Sequence, residues 1–250
     1  GLLYKGEATG NWTYRGDDPA AYKEVFDLEA GGTGDDEADM APLVSFLDFL
    51  NNSKDATFVA ELSDRLDVDQ FAIYLAMMDL IVNFDDINGP GNNAYLYYDP
   101  AARRFTVVPW DMNLAFSGAG AGVVRAIPAD GQVPDGFVPP TSDTPSASGT
   151  PTTIDVFAPG GQDGPGAPGD IVDGGAITNP LVQRFKAVPA FAALVEEQTS
   201  RLRADLYDSG KAHNVLSRWV SVLEKGASDM VDQATITSES EAIAKYFKTP

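Results

Sequence analysis

The segment VDQFAIYLAMMDLIVN, residues 68 to 83, limits this chain more than any other. Phe71, Tyr74, Leu75, Met78 and Ile81 recur at helical spacing, and the positions between them are nearly as apolar. A helix apolar almost all round cannot lie on a surface, so it must run through the middle of a domain. Asp67 or Asp69 can cap its start. The helix then delivers the chain from the core directly into a polar loop.

That loop is NFDDINGPGNNAYLYYDP, residues 83 to 100, and it is followed by VVPWDMNLAF, residues 107 to 116. AYLYY and RFTVV read as an antiparallel pair, joined by DPAAR with its Asp-Pro turn signal. Asp111 comes immediately after the second strand. Asp85, Asp86, Asn88, Asn92 and Asn93 therefore gather at one end of a hairpin, and Asp111 and Asn113 return to it. A carboxylate just past a buried strand needs a partner, which makes Asp111 the hardest of these to explain as packing. Trp110 and Pro109 read as packing at the strand end. Asp85 or Asp86 could instead close a helix end or an Asx turn, and Asn92 fits a turn position at positive φ.

Elsewhere the chain reads as scaffold. Residues 1 to 30 suggest short strands and turns, and GGTGDDEAD, residues 31 to 39, an acidic loop that is either solvated or a structural Ca²⁺ site. Leu43, Phe46, Leu47 and Leu50 mark a helix. Residues 117 to 178, rich in Gly and Pro with Arg125 the only basic residue, read as a surface insertion. From Asn179, with Pro180 at the first helical position, residues 179 to 250 are helical again, interrupted at Pro189. VLSRWVSVLEKGASDMV supplies another helix, and Ser238 with Glu241 forms a capping box that opens the last one. The whole of 1–250 is expected to form one domain of mainly helical α+β class with short antiparallel hairpins.

Composition removes several classes of function. Acidic residues number 37 against 17 basic, a formal charge of −20, which argues against nucleic acid or an anionic membrane as partner. No apolar run approaches the roughly 18 to 20 residues of a membrane span. Without cysteine there are no disulfides, no thiolate catalysis and no Cys-bound zinc. The one histidine, His213, stands at a helix entrance far from the loop, so Ser-His-Asp catalysis is disfavoured.

A metal at the hairpin would see only carboxylate and amide oxygens, which suit hard cations such as Mg²⁺, Mn²⁺ or Ca²⁺. The spacing is not that of an EF-hand. Two carboxylates at a cleft could serve glycoside hydrolysis, with nothing else to support it. A buried helix, an Asp, an Asn, a hairpin and a second Asp is the order of parts in a kinase catalytic lobe. There the hairpin brings a metal-binding Asn and Asp together while the first Asp stays free to act as base.

NFDDINGPGNNAYLYYDP with FTVVPWDMNLAF resembles the signature of the CotH family, the spore coat protein H kinases. That signature runs Asn-x-Asp, a loop, an Asn before Tyr-Leu-Tyr, then Pro-Trp-Asp. LLYKG, YRGDDPAAYKEVFDLE and NPLVQRF are similar to its flanks. The resemblance implies an atypical protein-kinase-like fold. It also implies transfer of the ATP γ-phosphate, with Mg²⁺ or Mn²⁺, to Ser or Thr of a protein outside the cytoplasm or on a spore or cell surface. By the same likeness Asp85 matches the catalytic base, with Asp86 the alternative. Asn93 and Asp111 match the nucleotide- and metal-binding pair, and Asn113 stands where many members carry a second acid.

The chain departs from the pattern too. From Asp85 to Asn93 is eight residues, against five in the ordinary kinase loop, and the glycine after Phe116 is delayed to Gly118. The family's nucleotide-gripping parts lie upstream of LLYKG, so this reading expects a catalytic lobe whose N-terminal lobe is not in the sequence. The competing expectation is an inactive secreted surface or adhesion module with structural divalent-cation binding.

Overall fold

In the computed structural model of this protein the residues described are 1–7, 12–83, 86–87, 93–116, 179–227 and 229–248. The insertion expected at 117–178 lies outside them, as do Asp85, Asn88 and Asn92. The fold is α+β and mostly helical, with one antiparallel four-stranded sheet.

The strands β1 (Leu2–Gly6), β2 (Phe26–Ala30), β3 (Ala94–Asp99) and β4 (Arg104–Pro109) stand in the order β2-β1-β3-β4. Tyr4 lies opposite Leu96, and Leu96 opposite Val107. Alternation places Tyr4, Ala94, Leu96, Phe105 and Val107 on the buried face. That face meets helix α1 (Asp36–Asn52), where the rings of Phe46 and Phe105 stack with centroids 4.7 Å apart.

The acidic stretch before α1 is not the solvated loop that its composition suggests. Asp35 accepts from the Ala38 N–H at 3.2 Å as the N-cap, and Asp36, Glu37 and Asp39 form the first turn, where the helix dipole favours negative charge. Asp39 is buried. It accepts from the Thr33 N–H and hydroxyl and the Gly34 N–H, folding the glycine turn onto the helix. Burial alone would raise its pKa, but these hydrogen bonds outweigh it and hold the carboxyl below its ordinary value.

Helix α2 (Asp55–Arg65) was not expected, because only Phe58 and Leu62 mark its buried stripe. Helix α3 (Val68–Leu80) is the central one. Asp67 caps it by accepting from Gln70, and Phe71, Tyr74, Leu75 and Met78 are buried, with Ile81 half-buried beyond its end. Its start is stitched to β4: the Asp67 N–H donates to the Phe105 carbonyl at 2.8 Å, and Gln70 Nε2 to the Val107 carbonyl at 2.8 Å.

Helices α4 (Pro180–Ala187) and α5 (Pro189–Arg203) break where expected, at Pro189, and Asn179 caps α4. Phe185 meets Phe71 edge-on and stacks on Phe191, joining these helices to α3. Arg184 fastens α4 to the α1–α2 junction, donating to the Leu50 and Ser53 carbonyls, Ser53 Oγ and the Asp55 carboxylate while lying over the Phe58 ring. Helices α6 (Lys211–Gly226) and α7 (Gln233–Tyr246) complete the chain. His213 packs its ring edge-on against Phe247. The capping box at Ser238 is not formed. Asp232 caps α7 earlier, accepting from the Thr235 N–H at 2.8 Å, and Ser238 sits inside the helix donating to the Thr235 carbonyl. A cap that satisfies the first free N–H groups leaves a later Ser-x-x-Glu nothing to begin.

Candidate active site

Three ties hold the segments around the hairpin in one place. The Trp110 N–H donates to the Asn93 carbonyl at 3.0 Å, extending the β3–β4 ladder one step past the Ala94–Pro109 pair. The Phe116 N–H donates to the Ile81 carbonyl at 2.8 Å, just past the end of α3. The Asn83 amide lies between two thioethers, Met78 Sδ at 3.5 Å and Met112 Sδ at 3.7 Å. The end of α3, the start of β3 and the residues after β4 therefore converge.

The backbone is bent to make this arrangement. Val82, Asn93, Asp111 and Phe116 all have positive φ, at 49°, 57°, 44° and 56°. Such positions cost about 1–3 kcal/mol in non-glycine residues and persist only when the surroundings enforce them. Val82 is the most costly type of the four, since its β-branch crowds the left-handed region. Four of the six positive-φ non-glycine residues among those described (the others are Trp12 and Arg103) thus flank the convergence.

The expected site residues divide by environment. Asn93 is buried at the start of β3, while Asp111 and Asn113 are exposed and adjacent. The Asp111 carboxylate accepts from the Asn113 N–H at 3.2 Å, so the partner that the sequence required of it is its own turn. Trp110 does not fill the strand end; it is 45 % exposed, its ring edge-on to Tyr95 at 5.3 Å. Asp85 falls outside the described residues, and Asp86 is buried.

Asp86 faces the hydroxyl of Tyr74, which the sequence marked only as core. Burial first, and then the Asp86 charge, push that phenol far above its ordinary pKa, against a smaller opposing pull from the Ile87 N–H. Among the described residues the hydroxyl makes no hydrogen bond of normal geometry. Asn83 is likewise a site residue that sequence reasoning left without a role, and its Oδ1 is buried without a partner among the described residues. The signal for Asn83 was its place as the first residue of the Asn-x-Asp pattern.

Phe116 closes the arrangement from behind. It packs on Tyr246 and Phe247 of the C-terminal region, beside a small cluster in which the Tyr207 hydroxyl donates to the Leu80 carbonyl at 2.6 Å.

The family model for the CotH kinase protein matches residues 1–246. The chain belongs to the CotH family. Comparison with curated proteins gives no match. The CotH match spans β1, the central helix, the hairpin and the C-terminal helices, so the residues of the converging segments lie within it. Among the described residues no three His, Cys, Asp or Glu side chains group as a metal site. Their donors near the hairpin are one exposed carboxylate, Asp111, with the amides of Asn93 and Asn113. Hard oxygen donors of this kind fit Mg²⁺ or Mn²⁺, which keep waters and take one or two carboxylates together with substrate phosphates.

Proposed function

We propose that this chain is a protein kinase of the CotH type, with a kinase-like arrangement of its parts. It would transfer the γ-phosphate of ATP to a Ser or Thr hydroxyl of a protein at the cell or spore surface. The observation that carries the reading is the tie between Asn93 and Trp110, which sets the loop asparagine beside the Trp-Asp step at one end of a two-stranded ladder.

Asn93, Asp111 and Asn113 would hold Mg²⁺ or Mn²⁺. The cation, when bound, neutralises the phosphate oxygens, a need made acute by the chain's formal charge of −20. In the transfer the acceptor oxygen forms its bond to the γ-phosphorus as the bond to the bridging oxygen breaks. The hydroxyl proton passes to a carboxylate, and ADP leaves. The burial of Asp86 against Tyr74 gives it a packing role, which speaks for Asp85 as the base.

One observation favours a second reading. The Asp111 carboxylate already serves its own turn through the Asn113 N–H, a role that an inactive surface module with structural cation binding would also need. Calorimetric titration of ATP with Mg²⁺, followed by phosphate transfer to a serine-rich protein, separates the two. The kinase reading expects metal-dependent binding that Asp111→Ala abolishes. Equal binding by the native chain and the variant would overturn it.

A further inference from the structure

At the other end of the same hairpin lies an open cleft of about 510 Å³, lined by Ser63, Asp64, Arg65, Ala102, Arg103 and Arg104. Six residues of strand separate it from Asn93 and Asp111, roughly 20 Å at about 3.3 Å per residue. A second hollow of about 90 Å³ shares Arg65 and Arg103 and is otherwise lined by Pro42, Ser45, Phe46, Tyr98 and Phe105.

Two unrelated pieces of chain build this cleft. The Asp67 N–H bond to the Phe105 carbonyl and the Leu66–Phe105 bridge bring the end of α2 against the start of β4, placing Arg65 near Arg103 and Arg104. Arg65 is fixed: its guanidinium lies 4.5 Å from the centre of the Phe49 ring and bonds to Glu61 at 3.0 Å, yet its Nε is buried without a partner among the described residues. Arg103 occupies a left-handed turn position, φ 55°, where glycine or asparagine is the unstrained choice. Arg103 and Arg104 are exposed, and neither has an ion-pair partner among the described residues. In a chain with 17 basic residues against 37 acidic ones, two arginines unpaired among the described residues stand here beside a third that Glu61 pairs, with Asp64 in the same lining.

We infer that this cleft binds a phosphorylated side chain of a protein segment, with an apolar neighbour of that residue in the smaller hollow. Guanidinium forks match the oxygens of a phosphate monoester, and a dianion gains from several of them at once. Asp64 at the rim opposes any anion, a dianion more than a monoanion, so binding rests on the arginines outweighing it. The main cleft is far larger than a free phosphate ion requires, and the aromatic lining of the hollow suits a side chain such as leucine. The inference goes beyond the kinase reading and does not depend on it.

The test is titration of the full chain with a short peptide carrying one phosphoserine beside a leucine, with its unphosphorylated twin, and with inorganic phosphate. The native chain should bind the phosphopeptide at least tenfold more tightly than either of the other two, and added salt should weaken the binding. Arg103→Asn with Arg104→Gln should weaken it at least tenfold with a melting temperature no lower than that of the native chain, since both residues are exposed and Asn relieves the left-handed turn. Arg218→Gln, on α6, should bind as the native chain does. Asp111→Ala should also leave this binding intact, so failure of the kinase reading would not touch the result. Equal affinity for the twin peptide or for inorganic phosphate, no binding, or full binding by the double variant would each overturn the inference.

Discussion

The N–H of Trp110 donates to the carbonyl of Asn93 at 3.0 Å, and the residues on its two sides, Asn93 and Asp111, both hold left-handed backbone. One hydrogen bond thus joins the open ends of a hairpin whose turn lies at the far end of the two strands. Asparagine and aspartate are the side chains that tolerate this region best, and at Asp111 the carboxylate supports its own turn through the Asn113 N–H.

Glycine at position 111 provides the sharpest test. Asp111→Gly removes the Cβ crowding at φ 44° and should raise stability by about 1 kcal/mol, measured by urea denaturation. The same variant should lose metal-dependent ATP binding. A variant both less stable and fully able to bind would refute the role proposed for Asp111.

Tyr74 should tolerate loss of its hydroxyl. The group is buried and lacks a hydrogen bond of normal geometry among the described residues, so Tyr74→Phe removes an uncompensated polar atom. We expect stability unchanged or higher by about 1 kcal/mol. A loss of more than about 2 kcal/mol would show that the hydroxyl has a strong partner.

Stability should fall at both ends of the pH scale, for different residues. The folded pKa of Asp39 is lowered, so its contribution is present above the unfolded carboxylate value of about 3.9 and fades as pH falls through the folded value. Asp39→Asn should flatten the acid limb of melting temperature against pH. The phenols of Tyr4 and Tyr74 are raised, Tyr4 by burial and then by Asp39 and Tyr98. Their contribution is full below about pH 10 and is lost as pH rises above it. Absorbance titration should show both phenols ionising only as the protein unfolds.

Arg184→Ala should destabilise the protein by about 3 kcal/mol, because it strips hydrogen bonds from the Leu50 and Ser53 carbonyls together with the stack on Phe58. The Asp55 carboxylate is fully exposed and contributes little. Arg184→Lys should recover less than half, since an ammonium cannot fork to two carbonyls. Chemical denaturation of the three proteins decides this.

The hairpin was readable in the sequence because period-two alternation and an Asp-Pro turn are local signals. So was the central helix, where Phe71, Tyr74, Leu75 and Met78 are buried as the spacing predicts, although Ile73 is left exposed. Asp232 shows how local signals compete: Ser238 and Glu241 fit a capping pattern, but the earlier aspartate took the role. The acids at 36–39 read as loop because charge usually marks solvent, whereas here the first helical turn accepts them. Of the candidate site, the residue types were legible and the ties were not. The contact of Asn83 with Met112 and the pairing of Tyr74 with Asp86 depend on how α3 ends in three dimensions, which no spacing encodes.

The clamp made by Arg184 also has a place in time. Its guanidinium meets the Leu50 carbonyl across 134 residues of sequence. At about 5–20 residues per second on the ribosome, it is synthesised roughly 7 to 27 seconds after the groups it secures. For that interval the junction of α1 and α2 leaves the tunnel with the Leu50 and Ser53 carbonyls lacking their guanidinium partner and the Phe58 ring stacked on Phe49 alone. The first half of this chain must therefore wait, open to chaperones and proteases, for a residue made long after it.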